Sequence, residues 1–260
     1  RDRMIAESAI DPARIMGAGV ALPGPFGRTG LSAEASALPG WEGIDPISLI
    51  GGALNLPITV ENDANAAAVA ERINGMAEGF GTYGYLYFGA GLGLGLVNDG
   101  HLVTGAYGNA GEIGHLPLAQ DGLLLERAVS RLSLVARLQA AGVAAPDIDT
   151  LSALAADNHP VVQGWIADAA APLARAVHVV ETLFDPETII LGGAMPEKIL
   201  ADLVAAVDLS AASISNREGR AVARLICGRT GRLVAAEGAA ALVLNRLFTP
   251  RFAPVASALQ

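Results

Sequence analysis

The sequence predicts an α/β protein in which short buried strands alternate with helices. Apolar runs recur along the chain and stop at glycine or proline, as expected for buried strands that end in tight turns. Most of these runs are followed by segments with helix-capping residues and small apolar side chains. Hydrophobic residues make up 52% of the 260 residues and charged residues 17%, so the chain can bury a sizeable core. Alternation of strands and helices favours the α/β class.

The first part of the chain is predicted to consist mainly of strands and glycine turns. A strand at residues 15–22 ends at Pro23, and Asp45 and Pro46 have the character of an N-cap and a first helical residue. In chain order, the predicted elements are a strand over residues 15–22, a helix over 45–54, a strand over 57–60, an alanine-rich helix that ends near 74, a strand over 82–88, and a hairpin of 94–97 and 102–103.

Helices are predicted to dominate the second part. In order, these elements are helices over residues 123–140, 150–156 and 160–184, a strand over 188–191, a helix over 196–207, a strand over 221–226 and a helix over 233–247. We find no internal repeat and no low-complexity linker in the sequence.

Charge and cysteine content exclude several classes of function. The chain has a net charge of −9 and a pI near 4.9, so it lacks the basic surface on which nucleic-acid affinity depends. Cys227 is the only cysteine, which excludes an intramolecular disulfide and favours a reducing, cytoplasmic location. No uncharged apolar run reaches the roughly 18 residues of a transmembrane helix, so no membrane contact is expected.

The first candidate site lies where a predicted strand runs into a helix at Asn62 and Asp63. Polar residues at this junction lie at the carboxyl end of a strand, where open α/β sheets bind ligands. Asp63 can act as a general base toward a hydroxyl, and Asn62 can form hydrogen bonds with neighbouring hydroxyls. The alternative is that Asp63 only caps the following helix.

Two glycine segments are candidates for phosphate contacts. Gly89, Ala90, Gly91 and Gly93 follow a β-rich run, and Gly192 with Gly193 closes another strand. Glycine lets backbone N–H groups approach a phosphate closely. The first segment precedes an apparent strand rather than a helix, so it is not a dinucleotide-binding fingerprint. An ordinary turn is the alternative for both segments, and for Gly192 with Gly193 it is the favoured one.

A third candidate is the pair Glu112 and His115, three residues apart in a glycine-rich stretch. A carboxylate and an imidazole in this arrangement suit sugar hydroxyls or a metal ion, and a solvated turn is the alternative.

The order of these motifs resembles the ROK family (repressor, open reading frame, kinase). The segments that carry the resemblance are AGVALPGPF (18–26), LPGWEG (38–43), ENDANAAAVAE (61–71), FGAGLGLGLVNDGHL (88–102), GNAGEIGHLPL (108–118) and LFDPETIILGG (183–193). The resemblance implies a two-lobed, actin-like ATPase or sugar-kinase (ribonuclease H-like) fold. It further implies a small lobe over residues 1–62, completed by 248–260, a large lobe over 63–247, and a homodimer or homotetramer.

The resemblance also assigns roles to individual residues. Asp63 corresponds to the base that takes a proton from the sugar hydroxyl attacking ATP. The residues expected to contact the sugar are Gly24, Asn62, Asp63, Glu112, His115 and Glu126. Those expected to contact ATP, accompanied by Mg²⁺ in a kinase, are Gly89, Ala90, Gly91, Gly93, Gly192 and Gly193.

Three departures from the family pattern bear on function. Ten residues separate His115 from Glu126 and none is cysteine, so we expect no zinc where family members hold a structural zinc. Ala90 stands where family kinases place a threonine hydroxyl. The family's first phosphate hairpin is absent, and we expect further residues before Arg1.

These features favour the sugar-sensing body of a transcriptional regulator whose DNA-binding helix-turn-helix lies in a separate N-terminal domain. The alternatives are an ATP-dependent hexose kinase and a degenerate family member that acts only in protein interaction.

Overall fold

The computed structural model describes residues 1–25, 38, 40–41, 43–118, 122–145 and 147–248. The helices are α1 (Asp2–Ser8), α2 (Pro46–Leu54), α3 (Asp63–Asn74), α4 (Leu125–Ala128), α5 (Arg131–Ala140), α6 (Ile148–Ala156), α7 (Pro160–Phe184), α8 (Glu197–Ala206) and α9 (Val234–Phe248). The strands are β1 (Ala18–Leu22), β2 (Ile58–Asn62), β3 (Tyr83–Phe88), β4 (Leu92–Asn98), β5 (His101–Leu102), β6 (Thr188–Gly193) and β7 (Leu225–Thr230).

The strands form two sheets. In the smaller sheet, β1 pairs in parallel with β2. The larger sheet has the order β5-β4-β3-β6-β7, with β3 antiparallel to β4 and parallel to β6. Phe88 at the end of β3 pairs with Gly193 at the end of β6, so both predicted glycine segments lie at the same edge of this sheet.

The two faces of the larger sheet are covered by different helices. Leu86 and Phe88 of β3 face the main core, which is filled by apolar residues of α5, α7 and α8. Tyr83, Tyr85 and Tyr87 alternate with them and face the alanines of α3. This period of two is that of a strand buried on both faces.

Helices α3 and α9 connect the two sheets. Helix α3 packs on β3, β4 and α9, and α9 also packs on β1. The two helices approach closely because Gly238 of α9 lies against the Ala66 carbonyl, where any side chain would collide with backbone. The first strand is therefore held by the last described helix.

Most predicted elements are observed, with three differences. The predicted helix over 123–140 is two helices, because Ser130 accepts from the Ser133 N–H and Ser133 Oγ accepts from the Ser130 N–H, a capping box that starts α5. The last strand is Leu225–Thr230 rather than 221–226, since pairing with β6 begins at Leu225. Helix α1 was not predicted. Parts of the 38–43 loop and all of 249–260 lie outside the described residues.

Candidate active site at the carboxyl ends of the strands

The junction of β2 and α3 is capped by Asn62 rather than by Asp63. Asn62 Oδ1 accepts hydrogen bonds from the N–H groups of Ala64, at 2.9 Å, and Asn65, at 3.2 Å. The interpretation of Asp63 as the N-cap is therefore wrong. Asp63 is the first residue of α3, and its carboxylate is not needed to begin the helix.

Asp63 is half-buried, and one of its oxygens faces the glycine turn. Oδ1 accepts from the N–H of Ala64 at 2.9 Å, while a methyl group placed on Gly89 would lie 3.5 Å from Oδ2. Burial raises the pKa of Asp63 from 3.8 to about 6, although the Ala64 N–H favours the charged form. At neutral pH the carboxylate is ionised and unusually basic for an aspartate, which suits general-base chemistry.

Glu112 precedes a short 3-10 helix, Ile113–His115, which ends at His115 and packs against β4. His115 Nε2 is 3.9 Å from Glu112 Oε2. The preceding Gly111 has φ of 92°, and its carbonyl accepts from the Leu94 N–H at 3.0 Å. A side chain at Gly111 would collide with the Leu94 carbonyl, so only glycine allows this loop to pack on the strand.

The predicted sugar-binding residues come together at one place. A methyl group on Gly24 would collide with the Glu112 carboxylate and lie 3.0 Å from Asn62 Nδ2. Burial raises the pKa of Glu112; the charge of His115 lowers it, and those of Asp63 and Glu126 raise it further. The structure thus brings Gly24, Asp63, His115 and Glu126 within contact or electrostatic range of Glu112, and Asn62 next to Gly24.

Glu126 reaches the site through a connection closed by backbone hydrogen bonds. Leu125 N–H donates to the Leu116 carbonyl at 2.9 Å, and Leu118 N–H donates to that of Leu123 at 2.8 Å. A methyl group on Gly91 would lie 2.9 Å from Glu126 Oε2. Within the described ranges, no three histidine, cysteine, aspartate or glutamate side chains are grouped so that they could hold a metal ion.

The predicted phosphate-side residues divide into two groups. Gly89, Ala90 and Gly91 form the turn between β3 and β4, and Gly193 ends β6 beside them. Gly93 and Gly192 instead lie within strands. There they allow close packing, since a methyl group on Gly93 would lie 2.8 Å from Ala64 Cβ and one on Gly192 would lie 2.6 Å from the Arg229 carbonyl.

Two side chains at this edge were not predicted from the sequence. Arg131 Nε donates to the Gly89 carbonyl at 3.1 Å, which fixes the glycine turn to the start of α5. The ring of Tyr87 lies beside Gly89, and the Asp63 charge adds to the effect of burial in raising the pKa of Tyr87 to about 12. The alternation of Tyr83, Tyr85 and Tyr87 in the sequence was the available signal for Tyr87.

The fold is that of the actin-like ATPases and sugar kinases. The structure of a ROK family glucokinase from Streptomyces griseus in complex with glucose and AMPPNP superposes with a TM-score of 0.62 at 25% identity, over 75% of this chain and 71% of that chain. The structure of a ROK family transcriptional regulator, a homolog of E. coli MLC protein, superposes with a TM-score of 0.57 at 27% identity. This match covers 75% of this chain and 54% of that chain.

The chain belongs to the ROK family, whose model matches residues 2–246. An uncharacterized protein of Sinorhizobium fredii (strain NBRC 101917 / NGR234), y4fQ, is 32% identical over 259 residues. The match covers 95% of this chain but 62% of that relative, so the chain spans less than two thirds of the relative's length. Among the helices described, none has both the length and the apolar character needed to cross a bilayer.

Proposed function

We propose that this chain is a sugar-binding body and that it senses the effector of a ROK transcriptional regulator. The observation that carries sugar binding is the convergence of Asn62, Asp63, Glu112 and His115 at one edge, with Glu126 beside the glycine turn. Carboxylates, an amide and an imidazole can accept from and donate to several adjacent hydroxyls at once. A neutral polyhydroxylated ligand matches this set better than an apolar one.

The regulator is favoured over the kinase by the glycine turn on the predicted phosphate side of the site. Ala90 offers no hydroxyl in the turn between β3 and β4. Phosphoryl transfer depends on positioned donors and charge neutralisation, so the loss of a donor there weakens a kinase more than a sensor. With a net charge of −9, the chain lacks the basic surface that DNA binding requires, so the proposal assigns DNA contacts to another part of the protein.

A kinase that transfers the γ-phosphate of ATP to a sugar hydroxyl is the second candidate. Asp63 favours it, because its free Oδ2 and its pKa of about 6 suit proton abstraction from a hydroxyl. ATP with Mg²⁺ would then be the cofactor. A sensor uses the same carboxylate as a hydrogen-bond acceptor, so Asp63 alone does not separate the two functions.

We further propose two lobes, residues 1–62 and 63–247, which sugar binding draws together around the junction of Asn62 and Asp63. Such a closure gives a regulator two states that a DNA-binding domain can distinguish. A cytoplasmic homodimer or homotetramer belongs to the same proposal.

Isothermal calorimetry on the full-length protein tests this function. A panel of neutral hexoses is injected with and without Mg-ATP into the wild-type protein and into Glu112→Gln, Asp63→Ala and Glu218→Gln variants. Glu218 is an exposed carboxylate and serves as the matched control. Loss of a hydrogen bond to a charged group should weaken sugar binding about 10- to 100-fold in Glu112→Gln and leave Glu218→Gln unchanged.

The heat signal separates the two candidates. Saturable heat that is unaffected by ATP supports the sensor. Sustained heat that requires ATP and disappears in Asp63→Ala supports the kinase. If no hexose binds, both are wrong and a protein-interaction role remains.

A further inference from the structure

Tyr87 differs from the other two tyrosines on its strand face. Tyr83 donates its hydroxyl hydrogen bond to the Ala68 carbonyl at 2.8 Å, and Tyr85 donates to the Arg229 carbonyl at 3.2 Å. Tyr87 is the nearest of the three to Asp63, and only 7% of it is exposed. Its hydroxyl makes no hydrogen bond to any residue in the described part of the chain. Within the described residues, Tyr87 is thus the tyrosine of this face whose hydroxyl is not tied to a backbone carbonyl.

The ring of Tyr87 lies between the two glycine segments. A methyl group on Gly89 would lie 2.9 Å from Tyr87 Cε1, and one on Gly193 would lie 2.7 Å from Tyr87 Cδ2. The cross-strand neighbours of Tyr87 are Gly93 and Gly192, which have no side chains. The ring is therefore the side chain that occupies the space between the glycine turn and the end of β6.

Neither glycine segment is free to move away from the ring. On one side, Arg131 Nε donates to the Gly89 carbonyl at 3.1 Å and Leu132 N–H donates to that of Ala90 at 3.2 Å. On the other side, the Gly231 N–H donates to the Gly193 carbonyl at 2.9 Å. A phosphate group could enter this space only if the Tyr87 ring moved.

The ring itself is also held in place. Tyr85 and Tyr87 stack with their ring centroids 6.5 Å apart and an angle of 28° between planes. Tyr85 is in turn held by its hydrogen bond to the Arg229 carbonyl, so this stack restricts movement of the Tyr87 ring. Asp63 Oδ2 lies on the Gly89 side of the ring, because a methyl group on Gly89 would be 3.5 Å from that oxygen and 2.9 Å from Tyr87 Cε1.

The position of the ring bears on phosphoryl transfer. A hydroxyl that loses its proton to Asp63 must lie within about 3–3.5 Å of the phosphorus that it attacks. The reacting phosphate would therefore lie next to Asp63 and Gly89, where the edge of the Tyr87 ring is found. A small residue at position 87 would leave this space open.

We propose that Tyr87 determines ligand specificity by excluding the terminal phosphates of a nucleotide from the space between Gly89 and Gly193. The inference rests on the proposed sugar-sensing function and deepens it, because it explains how a site with a basic Asp63 binds a sugar without acting on ATP. Residue 87 then separates a sensor from a kinase on the same fold.

The test compares Tyr87→Val with Tyr83→Val, the same substitution on the same face of β3 but away from the glycine turn. Tyr87→Phe keeps the ring and removes only the hydroxyl. Calorimetry measures the Kd of Mg-AMPPNP, and of whichever hexose of the panel binds, for the full-length wild-type protein and each variant. Hexose affinity within about threefold of wild type shows that a variant retains its site.

The expected result is that Tyr87→Val binds Mg-AMPPNP at least tenfold more tightly than the wild-type protein, Tyr87→Phe and Tyr83→Val. The proposal is overturned if the wild-type protein already binds Mg-AMPPNP as tightly as Tyr87→Val does. It is also overturned if Tyr87→Phe loses nucleotide affinity, because the hydroxyl would then be a phosphate ligand.

The failure of this proposal can be told apart from failure of the sensor function. If wild type binds hexose without nucleotide, and Tyr87→Val retains its hexose affinity but gains none for nucleotide, the sensor stands and the role of Tyr87 is wrong. If no hexose binds but Tyr87→Val gains nucleotide affinity, the role of Tyr87 stands and the sensor is wrong. If Tyr87→Val does not fold, Tyr87→Leu replaces it in the same comparisons, because leucine also removes the ring while keeping more of the apolar packing.

Discussion

Replacing Asp63 with asparagine should make the protein more stable at neutral pH, even though it removes the carboxylate that is the candidate general base. Burial raises the pKa of Asp63 from 3.8 to about 6, so the folded state holds the ionised carboxylate at a cost. A shift of this size corresponds to about 3 kcal/mol at neutral pH. Since the carboxylate is only half-buried, water reduces the cost, and a gain of about 1–3 kcal/mol is expected.

The pH dependence follows from the direction of the shift. Below the unfolded pKa of 3.8, Asp63 is protonated in both states and contributes no cost. The cost grows as the pH rises from 3.8 toward 6, because the unfolded chain ionises first, and it is complete above about pH 6. The advantage of Asp63→Asn should therefore be largest at pH 8, and about half of it should remain at pH 5.

Urea unfolding of the wild-type protein, Asp63→Asn and Asp208→Asn between pH 5 and pH 8 measures this advantage. Asp208 is exposed, so its substitution should change the free energy of unfolding by less than about 0.5 kcal/mol at every pH. The reasoning is refuted if Asp63→Asn is no more stable than wild type at pH 8, or if its advantage does not depend on pH.

Three further predictions test the loop that carries Glu112, a buried ion pair and the expected absence of a structural metal. Gly111→Ala should cost at least about 2 kcal/mol in urea unfolding, because φ is 92° and a methyl group would collide with the Leu94 carbonyl; a cost below about 0.5 kcal/mol would contradict this. Glu181→Ala should cost about 3–5 kcal/mol, since it leaves the 10% exposed Arg224 without its carboxylate, and the double replacement Glu181→Leu with Arg224→Met should restore most of the loss. If the double variant is as unstable as the single one, the charge is not the cause. Dialysis against a chelator should not change the thermal midpoint, because backbone hydrogen bonds close the connection that follows His115; a fall of several degrees would indicate a structural metal.

The sequence predicted the position of the site better than the way it is built. The strand that runs into Asn62 and Asp63 placed both residues at the carboxyl end of β2, as observed. Which of the two caps α3 could not be predicted, because either side chain can accept from the second and third N–H groups of a helix. The capping box at Ser130 was also missed, since Ser133 stands where such a box usually has Glu or Gln, and apolar residues recur on both sides of it across 123–140.

Contacts between segments that are distant in the chain could not be predicted from the sequence. Arg131 and Gly89 are separated by the Glu112 loop, and only the folded chain shows that they share a hydrogen bond. Likewise, Gly93 and Gly192 belong to glycine-rich motifs but lie inside strands. The space that a side chain would need is occupied by Ala64 at Gly93 and by the Arg229 carbonyl at Gly192. A motif identifies the residues of a region, whereas pairing and register decide which of them face the cleft.

The raised pKa of Asp63 also predicts how sugar binding should respond to pH. A sugar hydroxyl that donates to Asp63 favours the ionised carboxylate, so binding should lower the pKa of Asp63 below about 6 and release protons near that pH. Sugar affinity should then rise between pH 5 and pH 7.5. Calorimetry in buffers of different ionisation enthalpy measures the protons released.

Asp63→Asn isolates the contribution of this residue. The pKa of Glu112 is also raised by burial, so some proton release should persist in the variant, but the part centred near pH 6 should be lost. Equal proton release in the variant and the wild-type protein would mean that Asp63 does not contact the sugar. Proton uptake on binding would mean that the sugar favours the protonated carboxyl group, and Asp63 would then be a donor rather than a base.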